Sequence, residues 1–235
     1  MKTLLLAAAF ASCGYFAYAQ RTSHFIEGTL AAGQQKFSGS AAYRYQWNLG
    51  KKQKFSIGLG ARLTTFTGNN QFFETAPAQI TSGKTGLTVI FTETIPENID
   101  SIQIANPAMT MLNAMITLAY RPHSRWEIGF NIDAVGFTLG GEKQAQYWNG
   151  SQATPTTASP TRFNALLTSD NDLGSLNSEL WLAYGISQKT SLKIGYQFLF
   201  TEYTTATNVQ TFPEPNDRFR NKGSFLALGV LYKLR

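Results

Sequence analysis

Apolar and polar residues alternate along eight separate stretches of this chain, at about 24–32, 40–49, 55–66, 110–120, 126–138, 176–186, 191–203 and 224–234. In the last of them Leu226, Leu228, Val230, Tyr232 and Leu234 share one phase, while Phe225, Ala227, Gly229, Leu231 and Lys233 share the other. In 126–138, Trp126, Ile128, Phe130 and Ile132 oppose Glu127, Gly129, Asn131 and Asp133. Successive side chains of a strand point to opposite faces, so each phase is one surface of a sheet. One surface is apolar; the other carries small residues, amides and charges. Strands of ~9–11 residues are long enough to cross a membrane at a tilt.

A water-soluble sandwich could show the same alternation, and the connections separate the two readings. Residues 50–54, 121–125 and 187–190 make short links, whereas the others are longer and two are very long, at about 67–109 and 139–175. Short turns at one end and long loops at the other suit an all-β, up-and-down antiparallel transmembrane barrel of eight strands. Residues 87–93 and 99–105 are also strand-like, which leaves open a hairpin above the membrane or a ten-stranded barrel. The Thr-, Pro- and Ser-rich stretch 154–161 reads as exposed irregular chain. Trp47, Phe55, Tyr120, Trp126, Tyr184 and Tyr232 all fall in the apolar phase where a strand meets a short turn, the pattern of an aromatic girdle at one membrane interface.

Composition sharpens the picture. Charged residues make up 14% of the chain and aromatics 13%, against about 25% charged in a typical soluble domain. No stretch has the 18 or more apolar residues of a membrane helix. At the N-terminus, Lys2, the apolar run 4–11 and Ala17-Tyr18-Ala19 predict a signal peptide over 1–19, leaving a barrel domain over 20–235. An uncleaved anchor and lipidation of Cys13 are the alternatives. Cys13 is the one cysteine, so a mature chain from Gln20 has no disulfide and no Cys-based metal or redox site. The formal charge of +6 falls to +5 without Lys2, and the bases are scattered, so nucleic acid is not an expected partner.

With the leader, the alternation and the loop asymmetry together, the chain resembles the small eight-stranded outer-membrane barrels of the OmpA/OmpX type, over about 24–235. The stretches Gly129-Phe130-Asn131-Ile132-Asp133 and Ile95-Pro96-Glu97-Asn98-Ile99-Asp100 resemble the group described as "outer membrane protein β-barrel domain". The resemblance implies a fold and a location in the cell outer membrane after export, not an activity. It implies contact with outer-membrane lipid, lipopolysaccharide and the barrel-insertion machinery. Many such barrels end in Phe; this chain ends Tyr232-Lys233-Leu234-Arg235, so recognition by that machinery falls to Tyr232 or Leu234.

Candidate chemistry is sparse. His123 neighbours Ser124 in a short turn, and His24 begins the first stretch. No HExxH, histidine pair or Gly-rich phosphate loop is present, so no cofactor, metal or catalytic residue is expected. The inward phase carries Glu27, Arg44, Arg62, Glu127, Asp133, Glu179 and Lys193, with Glu27, Arg44 and Arg62 on one side of the lumen and the other four converging from the opposite side. An eight-stranded barrel is just wide enough for its own side chains. These charges therefore form either a structural plug or a narrow gated path. The expected role is structural or surface-interacting through the long loops; a small-molecule conduit and a lipid-modifying enzyme are the alternatives.

Overall fold

The computed structural model describes residues 22–86, 92–168 and 171–234. The predicted signal peptide and Cys13 lie outside these residues, as does most of the strand-like stretch 87–93. Among the described residues there are thirteen strands: β1 (Thr22–Gly33), β2 (Lys36–Leu49), β3 (Phe55–Gly68), β4 (Gln71–Thr75), β5 (Ser101–Ile104), β6 (Ala108–His123), β7 (Trp126–Leu139), β8 (Lys143–Asn149), β9 (Gln152–Pro160), β10 (Phe163–Ala165), β11 (Asn177–Gly185), β12 (Thr190–Thr205) and β13 (Arg218–Lys233). A short helix α1 (Ala78–Ser82) and a 3-10 turn at Pro96–Asn98 complete the elements used below. The expected count of eight strands, or ten in the alternative, is not met.

Antiparallel pairing runs β1–β2–β3–β6–β7–β11–β12–β13 and returns to β1. A sheet whose last strand pairs with its first has no edge. Short turns join β2 to β3, β6 to β7 and β11 to β12 at one end of this ring. In the first of them Gly50 takes a left-handed conformation (φ 75°), and its carbonyl accepts the Gln53 N–H at 3.1 Å, closing the turn.

The remaining strands occupy the stretches expected to be loops. β4 and β5 fall within 67–109, and β8, β9 and β10 within 139–175. β10 pairs with β7, and the other four form a second closed circuit at the long-loop end, β12–β13–β4–β5–β8–β9 and back to β12. Residues 101–104 are thus a strand, but one paired with β4 and β8 and not inserted in the ring of eight. The stretch 154–161, expected to be irregular, is mostly β9. Its backbone partners on β8 and β12 override the composition, and threonine itself suits a pleated surface. The two rings share β12, which runs to Thr205, two residues past its alternating stretch, and β13, which starts at Arg218, six residues before its own.

Inside, Phe66, Phe73, Ile102, Ile104, Met111, Leu199, Tyr203, Phe219 and Phe225 belong to one buried cluster spanning the junction of the two rings. Outside, the ring of eight presents bare apolar side chains, from Leu30 (75% exposed) and Leu226 (73%) to Phe137, Leu180 and Ile194. One bulge interrupts the pattern. The register of β6 on β7 skips Ala134, whose carbonyl accepts the Leu166 N–H at 2.7 Å. Beyond it the phase reverses, so Gly136 and Thr138 face in while Val135 and Phe137 face out.

Candidate functional site

Strand alternation gathers charge in the interior of the ring of eight. Arg44 comes from β2, Glu27 from β1, Arg62 from β3, Asp133 from β7, Glu179 from β11 and Lys193 from β12. Their side chains are at most 2% exposed. They do not divide into two sides of the lumen but link across it. Arg44 Nε lies 3.1 Å from Glu27 Oε2, and Glu27 Oε1 lies 3.2 Å from Lys193 Nζ. Lys193 reaches Glu179 Oε1 at 2.7 Å, Glu179 Oε2 lies 3.7 Å from Arg62 Nη1, and Arg62 Nη2 meets Asp133 Oδ1 at 2.6 Å.

Neutral donors fill in around this chain of charges. Asn113 Nδ2 donates to Asp133 Oδ2 at 2.8 Å, as does the Asn177 backbone N–H at 3.0 Å. Asn131 Nδ2 donates to Glu179 Oε2 at 3.2 Å and its carbonyl accepts from Thr117 at 3.0 Å. The Arg44 guanidinium also lies over the rings of Phe25 (5.1 Å) and Trp181 (4.9 Å), which shield it from the short-turn end.

Glu127 does not join. It shares the inward phase of Asp133 but lies six residues nearer the short-turn end, about 20 Å away at ~3.3 Å per residue. There it accepts from Arg121 Nη2 at 2.7 Å, partly open to solvent. The central network therefore has three acids and three bases and is formally neutral. A neutral, mutually paired set meets the cost of burying charge without an external counter-ion. It cross-links six of the eight strands around the lumen.

The six girdle positions sit together at the short-turn end. Phe55 pairs with Tyr120 and stacks on it at 4.6 Å; Trp126 pairs with Tyr184 at 4.8 Å. Trp47 packs edge-on to Tyr45 at 4.8 Å, and Tyr232 is aligned with Ile26 and Thr190. Tyr43 and Tyr45 extend this set, and His24 joins it, 2.6 Å from the Tyr43 hydroxyl. His123 and Ser124 are 3.3 Å apart on the exposed turn between β6 and β7. Among the described residues no three His, Cys, Asp or Glu side chains are grouped to hold a metal ion.

A second charged cluster was not read from the sequence. Glu202 on β12 is fully buried and takes Arg218 Nε at 2.9 Å and Arg220 Nη2 at 2.7 Å. Both arginines also donate to the Asp172 carbonyl, which ties the segment before β11 across β12 and β13. Its signal was the period-two placement of Arg218, Arg220 and Lys222 just before the last alternating stretch.

No protein-family model matches the sequence, and no curated protein matches it. Among solved structures, the chain is similar to Neisserial surface protein A at 8% identity, covering 91% of this chain and 96% of that one, with a TM-score of 0.37. A major outer membrane protein from Thermus thermophilus is 12% identical, with 91% and 99% covered and a TM-score of 0.39. The outer membrane protease OmpT from Escherichia coli is 11% identical, with 91% and 95% covered and a TM-score of 0.33. At these identities and scores the likenesses decide nothing about what this chain does.

Proposed function

We propose that this chain is an integral outer-membrane β-barrel protein. In this reading the ring of eight strands spans the bilayer, the lumen is plugged, and the outer strands offer a rigid surface to the exterior. The observation that carries it is the apolar outer face of the ring of eight. Leu30, Leu180, Leu192, Ile194, Leu226 and Leu228 are all more than half exposed. Soluble monomers rarely expose contiguous apolar patches beyond a few hundred Å². A closed sheet is also one of only two backbone arrangements that satisfy every peptide group in lipid. Bilayer lipid and lipopolysaccharide are then its surroundings, and the barrel-insertion machinery its route of assembly.

The reading includes no catalysis and no free passage of solutes. The neutral charge network crosses the lumen, and Phe66, Met111 and Phe225 close it toward the long-loop end. The protein should fractionate with outer membranes and run differently in SDS gels before and after boiling. In planar bilayers it should show no stable conductance. Recovery as a soluble periplasmic protein sinks the assignment; steady single-channel currents sink the plug and favour the conduit.

A further inference from the structure

Charge is distributed unevenly along the barrel axis. The central network is neutral. At the short-turn end the described residues carry Lys51, Lys52 and Lys54 in the first turn, Arg121 and Arg125 around the second, Lys189 in the third and Lys233 at the end of β13. Only Glu127 opposes them there.

Four of these bases surround a cavity of about 160 Å³ at the mouth of the lumen: Arg121, Arg125, Lys189 and Lys233, together with Glu127. Three inward-facing apolar residues, Phe25, Ala183 and Leu231, also line it. Behind them Ala183 and Leu231 pack with Ala119 and Trp181, which separates the cavity from the neutral network. The bases come from different elements. Arg121 lies in the last turn-ward residues of β6, Arg125 lies in the next turn, and the Lys233 backbone N–H donates to the Lys189 carbonyl at 2.7 Å, which fixes the β11–β12 turn beside the end of β13.

We infer that this vestibule binds a phosphate-bearing ligand. A cleft lined by one sign of charge over an apolar floor focuses the field and concentrates counter-ions. The vestibule has four bases against one acid, a net charge of three, with Ser187 and Ser191 also on its wall. A planar carboxylate is satisfied by one arginine fork, whereas a tetrahedral dianion takes donors from several directions at once. Arg121 on β6, Lys189 in the β11–β12 turn and Lys233 on β13 supply those directions, while Arg125, whose Nη1 donates to the Tyr184 hydroxyl at 3.3 Å, adds its charge at the rim. Arg121 already points into the cavity toward Glu127 at 2.7 Å, and an incoming phosphate competes with that carboxylate for it. The source is either a lipid headgroup or a free phosphate in the aqueous phase.

The test is calorimetric titration of the purified full chain with pyrophosphate, in detergent and in nanodiscs. Saturable binding is expected, weakening as salt is raised. Lys189→Gln with Lys233→Gln should weaken it roughly tenfold, and Glu127→Gln should tighten it several-fold by removing the competing carboxylate. Lys84→Gln with Lys143→Gln, at the other end of the molecule, should leave it unchanged. In phosphatidylcholine nanodiscs, adding phosphatidylglycerol should reduce pyrophosphate affinity if headgroups enter the site, and leave it constant if the ligand is free. No saturable binding overturns the site, as does a loss in Lys189/Lys233 no larger than in Lys84/Lys143. Should the double variant not fold, Glu127→Gln decides alone: unchanged or weaker binding overturns the proposal. The site rests on the lumen geometry, so failure to enter nanodiscs would count against the membrane reading while the detergent titration still judges the vestibule.

Discussion

Arg62 touches two carboxylates at the centre of the lumen, Asp133 at 2.6 Å and Glu179 at 3.7 Å. Removing it strands Asp133 in a site with no other cation. Arg62→Ala is expected to cost about 3–5 kcal/mol, read as a lower denaturant midpoint. Arg121→Ala breaks a pair whose arginine is 31% exposed and should cost less than about 1 kcal/mol. A different test concerns Tyr147 on β8, whose hydroxyl donates to Asp100 Oδ2 at 2.5 Å. Burial, and then this bond, push it up to about 12 from an ordinary value of 10.0. The fold thus prefers the neutral phenol. Its contribution is complete below about pH 10 and is lost as pH rises from there toward 12. Protease resistance of the outer strands should fall across that interval, and Tyr147→Phe should make the fall shallower. At this scale the sequence is legible in phase but not in depth. Alternation tells which face Glu127 and Asp133 share; only the pairing register tells that one sits in the network and the other at the mouth.

Elements meet most tightly where β11 crosses β7. Trp181 packs so closely on Gly129 that a β-carbon there would overlap the indole ring. Gly129→Ala is therefore expected to destabilise by about 1–3 kcal/mol, measured by thermal unfolding, with the Arg44 guanidinium losing its place over that ring. Deleting 70–106 removes β4, α1 and β5, none of which pairs within the ring of eight except through β13. The ring should still close and keep its heat-modifiable migration, while Phe219 and Tyr203 lose their cover. The alternating stretches located the eight ring strands to within a few residues at most ends. Of the five others, β5 lies within the strand-like stretch 99–105, and the rest do not stand out. β4 and β10 have five residues or fewer, too short for period-two to show, and β9 is Thr- and Pro-rich. What makes them strands is a partner distant in sequence, such as Phe219 opposite Thr75 or Tyr203 opposite Pro160.

For the whole molecule, the face that meets lipid is the decisive claim. Leu228 is 66% exposed on the outer surface of β13. Leu228→Arg should impair folding into lipid vesicles by up to about 2–4 kcal/mol, while Leu228→Phe should fold as the parent does. Equal yields for both would mean that this surface never enters a bilayer. β13 also carries a consequence in time. It completes the lower ring by joining β12 to β1, and it completes the upper ring by joining β12 to β4. In chain order it is the last strand described, so neither circuit can shut before it arrives. Until then β1, β4 and β12 are open edges, each a template for pairing with the wrong chain. The protein is fastened by a single clasp, and whatever escorts it must keep those three edges covered until that clasp is delivered.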